Sequence, residues 1–311
     1  MKRLLAALVA VPLVVAAVLL SRPAPADPAG GKQPPGDLVV SQDNVNPWTH
    51  LQLNNAPSTF RFAIVSDNTG GPRDGVFEHA IGQLNLLQPE FVVSVGDLIN
   101  GQTEDPAKIA KEWKEMRAVI GRLEMPFFFI PGNHDISNTV MEKDWQERFG
   151  RRYYHFVYKN VLFVMLNAED LPGKKTTGKF GPEQVAAVKK ILADNKDVRW
   201  TLVFLHRPLW HDKEPAKVGW TPVEEALQGR KYTVFCGHEH VYQREERHGM
   251  RYYTLATTGG KSKLRGAPQG EFDHIVWVTM KDGGPVLANL MMEGIFPEDV
   301  HLGTGKKKAG D

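Results

Sequence analysis

The chain has 311 residues, of which 24% are charged and 42% hydrophobic, with a formal net charge of +2 at neutral pH and a single cysteine, Cys236. This composition excludes a disordered chain and a disulfide framework within one molecule. The small excess of positive charge is local: Lys2, Arg3 and Arg22 lie in the first 26 residues, which hold no acid, so residues 27–311 carry a net charge of −1 and give no sign of a nucleic-acid surface.

Lys2 and Arg3 precede an apolar run from Leu4 to Leu20, and Ala24-Pro25-Ala26 follows it, the order expected of an export signal cleaved after Ala26. The run is 17 residues long. Because roughly 17–25 residues span a bilayer, an uncleaved membrane anchor is the alternative. The mature protein is then periplasmic or extracellular. Residues 27–58, rich in Pro, Gly, Asp and Asn, read as a linker, residues 59–300 as one domain, and residues 301–311, with Lys306-Lys307-Lys308, as a solvated basic tail.

Within the domain, short apolar runs alternate with segments of helical periodicity as far as about Gln243. Strands are predicted at Phe60–Ser66, Phe91–Val95, Phe127–Ile130, Trp200–Leu205 and Tyr232–Cys236. Helices are predicted at Asp74–Leu87, Pro106–Leu123, Asn138–Phe149, Pro182–Asn195 and Pro222–Gln228, three of them with a proline near the first turn, where its missing N–H costs nothing. Two hairpins join Tyr154–Tyr158 to Val161–Leu166 and Phe272–Met280 to Val286–Met291. The expected class is α/β: two packed mixed sheets with helices outside, an α/β/β/α sandwich.

Five polar clusters stand just after the predicted strands: Asp67, Gly96-Asp97, Gly132-Asn133-His134-Asp135, His206, and Gly237-His238-Glu239-His240. Each alone reads as a cap, a turn or an ordinary histidine. Together they put two carboxylates, an amide oxygen and three imidazoles at the strand ends, where open α/β sheets place their sites. Such donors suit a pair of divalent cations that activate water against a phosphate ester.

In these motifs the chain resembles the calcineurin-like metallophosphoesterases, whose pattern runs D-x-H, G-D, G-N-H-[DE], H, G-H-x-H, from about Phe60 to Met292. The resemblance implies a dinuclear centre bridged by Asp97, with Asp67 and His240 on the first metal and Asn133, His206 and His238 on the second. The metals would be Mn, Fe, Co, Ni or Zn, since mixed nitrogen and oxygen ligation suits all of them. The first motif departs from the pattern, because Thr69 stands where the family has a histidine. A hydroxyl is the poorer ligand for a transition metal. Other members of the family lack this histidine and remain hydrolases.

The expected reaction is in-line attack on phosphorus by a metal-bridging hydroxide, hydrolysing phosphate mono- or diesters. His134 is a candidate proton donor to the leaving group, Asp135 either orients His134 or caps the next helix, and Arg207 is a candidate phosphate clamp. Glu239 and Arg73 have weaker claims. Trp210 and Trp220 could stack on a base or close the rim of the core. The partner is a small-molecule or phosphorylated substrate, and the sequence is silent on its identity and on the oligomeric state. The competing reading keeps the fold and one metal but no turnover, as a metal-binding pseudoenzyme or sensor.

Overall fold

The computed structural model describes residues 47–170 and 178–292, with residues 38, 44, 45 and 294. The export signal, most of the linker and the basic tail fall outside the described residues. Asn55 onward forms one compact unit; the described residues before it carry neither helix nor strand.

One sheet contains β1 (Phe60–Val65), β2 (Val92–Ser94), β3 (Phe127–Phe128), β10 (His274–Lys281) and β11 (Gly284–Met291), in the order β11-β10-β1-β2-β3. The other contains β4 (Tyr154–Tyr158), β5 (Val161–Met165), β6 (Trp200–Phe204), β7 (Tyr232–Cys236), β8 (Gln243–Arg247) and β9 (Met250–Thr254), in the order β4-β5-β6-β7-β9-β8. β1, β2 and β3 are mutually parallel, as are β5, β6, β7 and β9, and antiparallel strands extend both sheets. This is the expected pair of mixed sheets.

The side chains show why the sheets stack. In β1, Phe60, Phe62 and Ile64 join Phe163, Phe204 and Phe235 of the second sheet in one buried cluster, while Ala63 and Val65 point the other way. The second face packs on α1 (Val76–Leu87), α2 (Pro106–Ile120) and α3 (Thr139–Phe149), and the far face of the second sheet packs on α4 (Pro182–Asp194) and α5 (Trp220–Leu227). Strands buried on both faces lose polar alternation, which is why they read as continuous apolar runs.

Local chemistry sets the helix starts. Asp105 accepts from Ala107 N at 2.9 Å ahead of Pro106, and Asn138 accepts from Val140 N and Met141 N ahead of α3. Each satisfies N–H groups that have no partner within the helix. α5 begins two residues before the predicted Pro222, because Gly219 turns the chain at φ 80° and leaves the proline in the first turn, where it is tolerated.

The β8–β9 hairpin is absent from the sequence reading. Its turn, His248-Gly249, has φ of 51° and 72°, but β8 is the all-polar edge strand QREER, which has no apolar face to betray it. β1, β2 and β3 of one sheet and β6 and β7 of the other end where the five polar clusters begin.

Candidate metal centre

Asp67, Asp97, His206, His238 and His240 converge into two overlapping groups. Ligand atoms of Asp97, His206 and His238 lie within 4.8 Å of one another, as do those of Asp67, Asp97 and His240. Asp97 is common to both. Asn133 Oδ1 adds an uncharged oxygen 3.1 Å from His206 Nε2, which is itself 3.2 Å from Asp97 Oδ2.

Backbone carbonyls decide which ring nitrogens face the cluster, since a carbonyl only accepts. His206 Nδ1 donates to Val95 O at 2.9 Å and His240 Nδ1 to Lys261 O at 2.6 Å, so both present Nε2 inward. For His240 the inward neighbour is Asp67 Oδ1 at 3.3 Å. His238 is turned the other way, with Nδ1 3.2 Å from His206 Nε2.

Close backbone approach makes this convergence possible. A Cβ on Gly132 would lie 2.5 Å from Asp97 N, and one on Gly237 would run into the Asp67 carboxylate. Three of the ligand-bearing residues themselves sit at positive φ: Asp97 at 59°, His238 at 73° and His240 at 55°. Such strain in non-glycine residues gathers at functional sites.

The charges are mutually dependent. Burial pushes the Asp67 carboxyl up, but the His240 bond, His206 and Ser66 Oγ (2.6 Å from Oδ2) outweigh it and hold it below the ordinary range. Asp97 is also held low, with burial opposed by His206. Burial alone would strip His206 of its proton, yet the two carboxylates raise its pKa to about 9. Burial and the charges of His206 and Arg207 drop His238 to about 3, leaving it neutral as a ligand requires.

The donor set therefore fits a dinuclear centre. Two fully buried carboxylates, Asp67 and Asp97, lie close enough to share an ion, His206 and His240 aim Nε2 toward them, His238 turns Nδ1 toward His206, and Thr69 Oγ1, also buried, has no hydrogen-bond partner among the described residues. Thr69 follows Asp67 by two residues, and a buried hydroxyl without a partner is a group that a bound ion or its water would satisfy.

His134 is half-buried beside the cluster. Its N donates to Asp97 Oδ1 at 2.8 Å and its Nδ1 to Asn100 O at 2.7 Å. The His134 ring bonds Asn100 O rather than Asp135, and Asn138, not Asp135, caps α3. Instead its carboxylate accepts from the backbone N–H groups of Asp97, Leu98, Ile99 and Gly132 at 2.7–3.2 Å, tying two ligand loops together. Its pKa is pushed up to about 7 by burial and by Asp97, against the bonds from Gly132 and Ile99 and the charge of His206.

Arg207 bonds Glu169 through Nε, and its Nη1 lies 2.9 Å from His238 Nε2. Glu239 is exposed, and Arg73 is taken up by Asp273, Gly260 O and Thr257 in bracing the first loop. Trp210 and Trp220 are buried in the helix-covered core of the second sheet, which removes them as stacking platforms. Sequence reading assigned no role to Glu169 or Ser66; Ser66 precedes Asp67 directly in the chain, whereas only the fold brings Glu169 to Arg207.

The model of the calcineurin-like phosphoesterase family matches residues 60–242, more than half of the chain. The human serine/threonine-protein phosphatase CPPED1 is 28% identical over 142 residues, covering 43% of this chain and 45% of that protein. A probable glycerophosphodiester phosphodiesterase, GpdQ, of Arcobacter nitrofigilis is 26% identical over 136 residues, covering 42% and 44%. This chain thus aligns with under half the length of these relatives. Among solved structures, the purple acid phosphatase PPD1 of yellow lupin seeds superposes with a TM-score of 0.56 at 17% identity over 76% of this chain and 52% of that one, a likeness of fold.

Proposed function

The chain belongs to the calcineurin-like phosphoesterase family, and on that premise we propose that it is an exported metal-dependent hydrolase of phosphate mono- or diesters. The observation that carries this reading is the shared carboxylate: Asp97 belongs to both ligand groups, each compact enough to hold one cation. Relatives named as a phosphatase and as a phosphodiesterase support both ester classes. Export rests on the signal pattern of residues 1–26 alone; among the described residues no helix is long and apolar enough to cross a membrane.

Asp67, Asp97 and His240 would hold the first cation, and Asp97, Asn133, His206 and His238 the second. When bound, the pair supplies Lewis-acid polarisation of phosphoryl oxygens and an acidified water. The remaining work belongs to the protein. With Nδ1 donating to Asn100 O, His134 in its imidazolium form offers the Nε2 proton to the leaving-group oxygen and ends as the neutral Nδ1–H ring. Arg207 contributes positive charge beside His238, suited to a nonbridging phosphoryl oxygen. Asp135 keeps the Asp97 and Asn133 loops in register.

The test is turnover of p-nitrophenyl phosphate and bis(p-nitrophenyl) phosphate by protein supplied with Mn²⁺ or Zn²⁺. Metal-dependent hydrolysis of either, absent from Asp97→Asn, is the expected result. A second reading, favoured by Thr69 in place of a histidine, is a metal-binding sensor of the same fold; one bound metal per chain with no turnover of any phosphate ester would select it.

A further inference from the structure

Glu169 lies outside every motif, in the loop after β5, yet its side chain is 1% exposed. Its surroundings fix it closely. Glu169 N donates to Asn167 Oδ1 at 2.9 Å, and Asn167 is clamped in turn by Gln184, which accepts from its N at 2.8 Å and donates to its O at 2.9 Å. One carboxylate oxygen, Oε1, accepts from Arg207 Nε; the other, Oε2, is buried without a hydrogen-bond partner among the described residues. The stem of Arg207 is confined as well, because a Cβ on Gly178 would strike its Cδ.

A buried ion pair is weak grounds for stability, since desolvation of both charges offsets most of their attraction. What this pair does is geometric. Arginine carries several rotatable bonds, and a carboxylate that grips Nε leaves the Nη end pointing along one direction. Here that direction leads to His238, 2.9 Å from Nη1 to Nε2. A histidine that offers Nδ1 to a cation carries its proton on Nε2, so Nη1 then faces a donor rather than an acceptor. That N–H then faces toward an oxygen acceptor in place of His238 while Glu169 still holds the guanidinium at Nε.

We propose that Glu169 is a positioning residue of the hydrolytic site, which through Arg207 holds a guanidinium N–H beside His238 for a nonbridging oxygen of the substrate phosphate. The inference rests on the phosphoesterase reading and deepens it: Arg207 makes the contact, and Glu169, which touches no substrate, determines where the contact falls.

The experiment is a double-mutant cycle in the full chain supplied with Mn²⁺, comparing wild type, Glu169→Gln, Arg207→Ala and the double variant. Inorganic phosphate affinity is measured by calorimetry, metal per chain by elemental analysis, and kcat and KM on p-nitrophenyl phosphate. Glu169→Gln is expected to keep wild-type metal content and to weaken phosphate about tenfold, the scale of one charge-assisted hydrogen bond, with KM rising more than kcat falls. In the Arg207→Ala background the same change is expected to have no further effect. Wild-type phosphate affinity in Glu169→Gln, or an equal loss in both backgrounds, overturns the proposal. Should Glu169→Gln not fold, Glu169→Asp, which keeps the charge and shortens the reach, carries the same expectations. Wild type that turns over ester beside a neutral Glu169→Gln refutes this inference alone, whereas wild type that binds phosphate but cleaves no ester refutes the hydrolase.

Discussion

His206 and His240 each turn Nε2 toward a buried carboxylate from a carbonyl-fixed ring, yet His206 is wholly buried while the His240 side chain keeps 19% of its surface. Around His206 stand Asp97 Oδ2, Asn133 Oδ1 and His238 Nδ1, all within 3.1–3.2 Å. Around His240 stand Asp67 and Asp97, and the first motif adds no imidazole, carrying instead Thr69, whose buried hydroxyl has no hydrogen-bond partner among the described residues. One half is thus a four-donor set at depth, and the other a three-donor set closer to solvent. The half built on His240 is therefore expected to hold its cation more weakly, since donor number and imidazole content both favour its neighbour.

The harshest way to break this comparison is to remove what joins the halves. Asp97→Asn should reduce hydrolysis to background and lower the metal content of both positions; normal turnover would dismiss a shared bridge. Next in size, His134→Ala should slow cleavage of alkyl esters by about 10²-fold, the low end for a general acid, with metal content unchanged. Equal rates for the variant and wild type on poor leaving groups would return His134 to a packing role.

A finer test addresses the weaker half alone. Thr69→Val keeps the shape and deletes the hydroxyl, and should weaken the first cation about tenfold while leaving the second untouched, seen as a wider separation of two steps in a calorimetric Mn²⁺ titration. If the variant is merely more stable with an unchanged titration, the hydroxyl faces no cation.

The smallest effect concerns the floor beneath Asp67. Thr258 accepts from Ser66 N, donates through N to Asp67 O and through Oγ1 to His274 O, so β10 supports the first half directly. Burial drops His274 to about 4, despite its bond to Asn289 and the charge of Asp273. Its ordinary value is about 6.5, so the unfolded chain takes up the proton first. The stability contributed by neutral His274 is complete above pH 6.5 and is lost as pH falls from there toward 4. In chelator-treated protein, His274→Gln should flatten the fall in urea-unfolding free energy between pH 7 and pH 5; an unaltered slope would assign the acid sensitivity elsewhere.

Much of this molecule is legible in the chain. Runs such as FRFAIV and TLVFL are buried on both faces, so their apolar character survives whatever packs on them, and Asp105-Pro106 and Asn138 announce helices by local chemistry alone. Ligands that follow strands directly are readable for the same reason: the strand end dictates where Asp67, His206 and His238 emerge. β8 is hidden because an exposed edge strand needs no apolar face.

Residue type and strand-end position, both local, marked out the candidate ligand clusters, and the alternation of apolar runs with helical segments gave the paired-sheet class. Only the tertiary structure could decide that Asp135 ties the Asp97 loop to the Asn133 loop, that Trp210 and Trp220 belong to the core, and that Glu169 grips Arg207 beside His238. These roles depend on contacts between segments 30 or more residues apart or on which side of a sheet a loop returns, and no periodicity or spacing encodes such distances.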